Sequence, residues 1–251
     1  MFARLFPARC PVDSASSDWL VYRLGWLVET FGLEAGLQSV LRPTEEDFPE
    51  RFDGERDSLW PALERIAARL GVPIDAIDLN VYDKEDSHGD LMRASGLDGR
   101  WSSTGAAGFY FEGSRHYSIN VERSVAKHPT SAVATLAHEL CHALLLGGRH
   151  LKGDEEDGEP LTDLAAVFFG YGIFTANSLI RESSWHSAAR SGWSVGRQGY
   201  LTFPIVGYAL ALHASLRAES RPRWGRYLRA DARAPFRQGM RYLRQRGAGW
   251  Q

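Results

Sequence analysis

The chain has 251 residues, of which 44% are hydrophobic and 12% aromatic, a composition that supplies a real core and excludes a disordered chain. A formal net charge of −2 excludes an overall electrostatic pull towards nucleic acid or membrane, so any such partner has to act through a local patch. Cys10 and Cys141 are too few for a secreted disulfide scaffold and fit a reducing compartment, and neither a signal-like apolar run near the start nor eighteen consecutive apolar residues occur, so a cytoplasmic chain without a membrane span is expected.

The first predicted element is a helix over SDWLVYRLGWLVETFGLEAGL, with Leu20, Leu24, Leu27, Val28 and Phe31 at helical spacing and Ser17 or Asp18 as its cap. A polar loop with prolines follows. LWPALERIAARLG then repeats the helical pattern, with Gly71 as a stop and Pro73 just beyond, and IDLNVYD alternates as a strand does. Past a glycine- and serine-rich connection, AAGFYFE, the turn GSR and HYSINVE read as a hairpin. Pro129 opens a helix through TLAHELCHALLLGG that Gly147 and Gly148 close by accepting left-handed backbone. An acidic loop, GDEEDGE, leads to a second helix over PLTDLAAVFFGYGIF. Further helices are expected at TFPIVGYALALHASLRA and across the arginine-rich end.

The helix opened by Pro129 carries His138, Glu139 and His142 in an otherwise apolar run. Positions i and i+4 stack on one face, so both imidazoles can reach one point in space and chelate a metal ion. Glu139 is rotated by about 100° from His138, close enough to touch a water at such an ion without ligating it. Val133, Leu136, Leu140 and Leu144 make the opposite, core-facing stripe, and Cys141, off the ligand face, reads as a small buried hydrophobe. Hydrolytic zinc takes three protein ligands and keeps a fourth position for water, so a third ligand is required. An HExxHxxGxxH arrangement is excluded, because Leu145 and Gly148 stand where glycine and histidine are needed and His150 lies too far along. The following helix offers Glu159 and Asp163, four residues apart, and the preceding loop offers the acids of DEED.

HExxH on one helix followed by ExxxD on a later one resembles the gluzincin metallopeptidases, over residues 77 to 180. The resemblance implies a zincin-like α+β fold with a small mixed sheet, a Zn2+ ion held by His138, His142 and Glu159, Glu139 as general base, and Asp163 orienting a ligating histidine through its other ring nitrogen. Asp163 or an acid of DEED is the alternative third ligand. The implied reaction is hydrolysis of a peptide bond in a peptide or protein substrate, with the hairpin's edge strand holding that substrate in extended form. A donor for the developing oxyanion is also needed. Tyr200 is the chosen candidate, ahead of Tyr208, His186 and His213.

From Arg217 to Arg246 the chain has ten arginines against Glu219 and Asp231, which leaves the remainder at −10. Arg226, Arg229 and Arg233 are expected on one helical face and Arg237, Arg241 and Arg244 on another after Pro235, opposite the apolar stripe Phe236, Met240 and Leu243. This end is a candidate surface for an anionic partner. The expectation for the whole is a single domain, residues 1–71 giving N-terminal helices, 72–180 the metal-site core and 181–251 the C-terminal helices. The rival expectations are a catalytically silent zincin-fold module that acts through its basic end, and a zinc hydrolase of a non-peptide amide.

Overall fold

A computed structural model describes residues 7–83, 106–110, 117–151, 155–187, 190–197 and 200–247, of which the strands at 106–110, 180–187 and 190–197 are described by their backbone alone. The architecture is mixed, with helices predominating over two small sheets. Residues 43–158 form one compact unit, and residues 1–42 together with 159–251 form another. Among the described residues no helix is long and apolar enough to cross a membrane.

In the unit of residues 43–158, α3 (Arg56–Leu70) buries Leu59, Leu63, Ile66 and Leu70, the spacing of one helical face. It starts three residues ahead of the predicted LWPALERIAARLG. Gly71 ends it as expected, with φ +71°, and the Val72 N–H reaches back to Ala67 O in a Schellman closure. Strand β1 (Ile77–Tyr82) then pairs in parallel with β3 (Tyr117–Glu122), which pairs antiparallel with β2 (Ala106–Tyr110), so the sheet is mixed and ordered β1-β3-β2. The predicted hairpin is β2 and β3, and its turn lies outside the described residues. A side-chain period of two puts Tyr117, Ile119 and Val121 on one face of the central strand, and all three are buried.

A short helix, α4 (Arg123–Ala126), leads to α5 (Pro129–Gly147), which packs on α3 and on the sheet. Arg123 joins three segments here. Its Nε donates to Asp83 Oδ1 at 2.8 Å, its Nη1 to Gly54 O at 3.2 Å and also to Glu55 Oε1. The end of α5 departs from expectation. Gly148 has φ −72°, and Arg149 takes the left-handed turn at φ +56°, with the His150 N–H returning to Leu145 O. Glycine is needed at 148 for space, since a Cβ there would stand 2.6 Å from Leu144 O and 2.5 Å from the His150 ring.

In the other unit, α1 (Ser14–Phe31) buries Leu20, Leu24 and Leu27. Its cap is Asp13, which accepts from Ser16 N at 2.8 Å, not Ser17 or Asp18, because the helix begins four residues ahead of Asp18. After α2 (Leu33–Leu37) the chain re-enters this unit at α6 (Gly158–Phe168) and α7 (Gly172–Ser178). The sequence pattern had suggested one helix there. Gly170 breaks it with φ +93°, and the Tyr171 N–H closes on Ala166 O at 2.8 Å. Strands β4 (Ile180–Ser187) and β5 (Arg190–Arg197) form an antiparallel pair that the sequence reading did not anticipate.

Helices α8 (Phe203–Leu216) and α9 (Ala230–Arg246) complete this unit. They approach so closely that a Cβ on Gly207 would stand 2.7 Å from the Pro235 ring and 2.9 Å from Phe236 N, and one on Gly239 would stand 2.8 Å from Ala211 Cβ. Phe236, Met240 and Leu243 are the buried stripe of α9, as read from the sequence, while Arg237, Arg241 and Arg244 are exposed. Arg226, Arg229 and Arg233 do not share a helix. Arg226 sits in a 3-10 turn (Arg223–Tyr227), Arg229 caps α9, and Arg233 lies within α9, where it donates to Leu228 O and to Arg226 O at 2.9 Å.

Candidate metal centre

Helix α5 is buried on every side from Ser131 to Cys141, so its polar residues sit where a core helix carries apolar ones. His138 is 9% exposed and Glu139 2%. His142, one turn later, is half-buried where the helix begins to emerge, and Cys141 is in the core. The two imidazoles stand edge to face with ring centroids 4.7 Å apart, the arrangement that i, i+4 stacking gives.

Glu159 supplies a third donor. It is the second residue of α6, half-buried, in the first turn where the helix dipole favours a carboxylate. One ligand atom from each of His138, His142 and Glu159 lies within 4.8 Å of the others, and among the described residues this is the grouping able to hold a metal ion. Two imidazole nitrogens and a carboxylate oxygen form a donor set that zinc accepts. Donors on a tetrahedral zinc at bonds of about 2.0–2.1 Å stand roughly 3.4 Å apart. Side-chain adjustments of about 1 Å would therefore complete the site, and the residues fit the ion.

One oxygen of the Glu139 carboxylate is engaged by the sheet. Tyr117 Oη, from the first residue of β3, donates to Glu139 Oε2 at 3.0 Å, and both residues are buried. Among the described residues no other donor reaches this carboxylate. Tyr117 lies in HYSINVE, which the sequence pattern gives only as a strand of the hairpin. Its position at the start of a strand, on the face shared with Ile119 and Val121, was the available signal, but the contact depends on how α5 crosses the sheet.

Asp163 lies one turn after Glu159 on α6 and is 3% exposed. Its Oδ2 accepts the backbone N–H groups of Tyr200 at 2.7 Å and Leu201 at 3.3 Å. This carboxylate therefore anchors the segment before α8 and brings the half-buried Tyr200 to α6.

The other donor candidates have different surroundings. Tyr208 is buried in α8 with its ring 6.2 Å from that of Tyr242, and burial pushes its hydroxyl pKa up to about 12. His213 is fully buried and its Nε2 stands 2.8 Å from Gly36 O, which fixes that nitrogen as the protonated one because a carbonyl only accepts. Both belong to the core of their unit. His186 falls in β4, which is described by its backbone alone, and Asp154 lies outside the described residues.

No family model, curated protein or solved structure matches the chain.

Proposed function

We propose that the chain is a zinc-dependent metallopeptidase of the gluzincin kind, with His138, His142 and Glu159 as the residues that hold the ion. The observation that carries this reading is the convergence of those three donors, drawn from two helices, beside a glutamate that the core keeps 2% exposed. An ionisable side chain so deeply placed next to a donor cluster is far more costly to bury than an apolar one, and a working site offsets that cost. Zinc, when bound, supplies Lewis acidity and lowers the pKa of a water to about 7.

The chain's own residues then have separate tasks. The two histidines bind as neutral imidazoles, and Glu159 contributes the negative charge of the site. The Glu139 carboxylate takes the proton of the attacking water and returns it to the nitrogen of the departing amine. Asp163 orients a ligating ring through Oδ1, while Oδ2 keeps the Tyr200 segment in place. Tyr200 directs its hydroxyl at the negative charge developing on the carbonyl oxygen. An extended substrate pairs along the edge strand of the small sheet.

Zinc analysis of the purified chain, with turnover of an internally quenched peptide library of mixed sequence, tests the reading. The expected result is about one zinc per chain and peptide cleavage. Glu139→Gln should retain the zinc and lose roughly 100- to 10,000-fold in turnover, the range of general acid-base catalysis. A chain that binds no zinc and cleaves nothing would overturn it. Cleavage of small non-peptide amides with none of peptides would redirect it to that substrate class.

A second reading is favoured by the exposed arginines. Arg221, Arg223, Arg237 and Arg241 are exposed and make no ion pair with a described residue. In this reading the basic end recruits an anionic partner and the zincin-like part is silent. Its binding survives Glu139→Gln and fails when Arg237 and Arg241 are neutralised.

A further inference from the structure

We infer that Tyr117 is a positioning residue for Glu139, setting the direction in which that carboxylate presents its other oxygen. The inference rests on the metallopeptidase reading and adds to it a residue outside both metal-binding motifs. Three observations support it.

First, the hydrogen bond is specific in chemistry. Tyr117 Oη donates to Glu139 Oε2 at 3.0 Å, and a carboxylate accepting from a phenol forms a stronger bond than a neutral pair does. Second, both partners are removed from water, at 4% and 2% exposure, so the bond operates at low local dielectric and little solvent competes for either oxygen. Third, the two ends are held by rigid elements. Tyr117 is the first residue of the central strand, paired with Ile77 on one side and Tyr110 on the other, and Glu139 is in the middle of the 19-residue α5. A glutamate side chain has three rotatable bonds. Fixing one of its oxygens on a strand-anchored hydroxyl leaves Oε1 as the oxygen for proton transfer and removes most of the rotamers in which it would point elsewhere.

A tyrosine is suited to this task because its hydroxyl stands at the end of a stiff ring with only two side-chain torsions. A serine or threonine at 117 would not reach across from sheet to helix. A lysine would reach but would bring a positive charge that ties the proton-accepting carboxylate into an ion pair. Phenylalanine fills the same volume and lacks only the oxygen, which makes Tyr117→Phe the informative variant.

Two measurements test the inference. In the metal-free chain, the urea midpoint is compared across wild type, Tyr117→Phe, Glu139→Gln and the double variant. Tyr117→Phe should lower the midpoint in the presence of Glu139, and by a different amount in its absence, which reports the bond itself. In the zinc-loaded chain acting on the peptide library, Tyr117→Phe should keep its zinc, keep KM within about twofold and lose roughly 10- to 100-fold in kcat, as expected for a misdirected base. A purely structural bond would move the midpoint and leave kcat unchanged, and that result overturns the inference while the metallopeptidase reading stands. A wild-type chain with neither zinc nor turnover overturns both, whatever the urea midpoints show. Should Tyr117→Phe not fold, 3-fluorotyrosine placed at 117 keeps the shape and alters the strength of the bond. An unchanged kcat there also counts against the inference.

Discussion

Asp163 Oδ2 accepts the Tyr200 backbone N–H at 2.7 Å, so a carboxylate of the second motif fixes the start of the segment that leads into α8. The same oxygen takes the N–H of Leu201, which is 2% exposed. Asp163→Ala leaves both N–H groups without their acceptor, and a buried unsatisfied donor costs about 1–3 kcal/mol. Loss of about 2–3 kcal/mol in unfolding free energy is expected by urea titration, with Asp163→Asn, which keeps an acceptor, costing less than half of that. Equal losses for the two variants would count against this role.

The three donors are not equivalent to their neighbours. His138→Ala, His142→Ala or Glu159→Ala should each weaken zinc binding by more than about 100-fold, beyond the 10- to 100-fold typical of residues that only orient a ligand. Asp163→Asn should fall within that smaller range. Competition with a chromophoric chelator reads both. Retention of full affinity in Glu159→Ala would move the third ligand elsewhere.

Gly207 lies where α8 and α9 meet, and a methyl group there would stand 2.9 Å from a backbone nitrogen and 2.7 Å from a proline ring, neither of which can rotate away. Gly207→Ala should destabilise by about 1–3 kcal/mol through overpacking. Gly25→Ala in α1 is the control, since a Cβ there meets nothing within 4 Å, and alanine should be neutral or stabilising. Denaturant midpoints distinguish the two.

The cap of α1 carries a pH signature. Asp13 is held below its ordinary pKa of 3.8, chiefly by the Ser16 N–H and then by the Ser16 hydroxyl. A depressed carboxylate stabilises fully above its unfolded pKa of about 3.9, and that contribution is lost as pH falls through the lower folded value. The melting-temperature gap between wild type and Asp13→Ala should therefore stay constant from about pH 8 to pH 5 and close below about pH 4. A gap that widens in acid would contradict this.

Much of the site was legible because its spacing is local. Two histidines four apart and a carboxylate opening the next helix are relationships within short stretches, and helical geometry alone brings the imidazoles together. The core stripe of α9 and the stop at Gly71 were readable for the same reason. Tyr117 was not, because its partner is twenty-two residues away and on another element. The left-handed residue after α5 was misplaced since glycine has two uses there. Gly148 is required by the closeness of Leu144 O and His150, and the positive φ fell to Arg149. The break at Gly170 was hidden in a continuous apolar run, where a turn and a buried helix have the same hydropathy. The β4–β5 pair was missed because IRESSWHSAARSGWSVGR lacks sustained alternation.

The exposed guanidinium groups of Arg237 and Arg241, which make no ion pair with a described residue, have a practical outcome that the net charge of −2 conceals. A chain that is acidic in sum should still adhere to a cation-exchange resin in dilute buffer, where the Debye length is about 30 Å, and release sharply near 0.15 M salt, where it shortens to about 8 Å. Near-neutrality here is a cancellation between distant stretches of sequence, and added electrolyte would be felt first at α9.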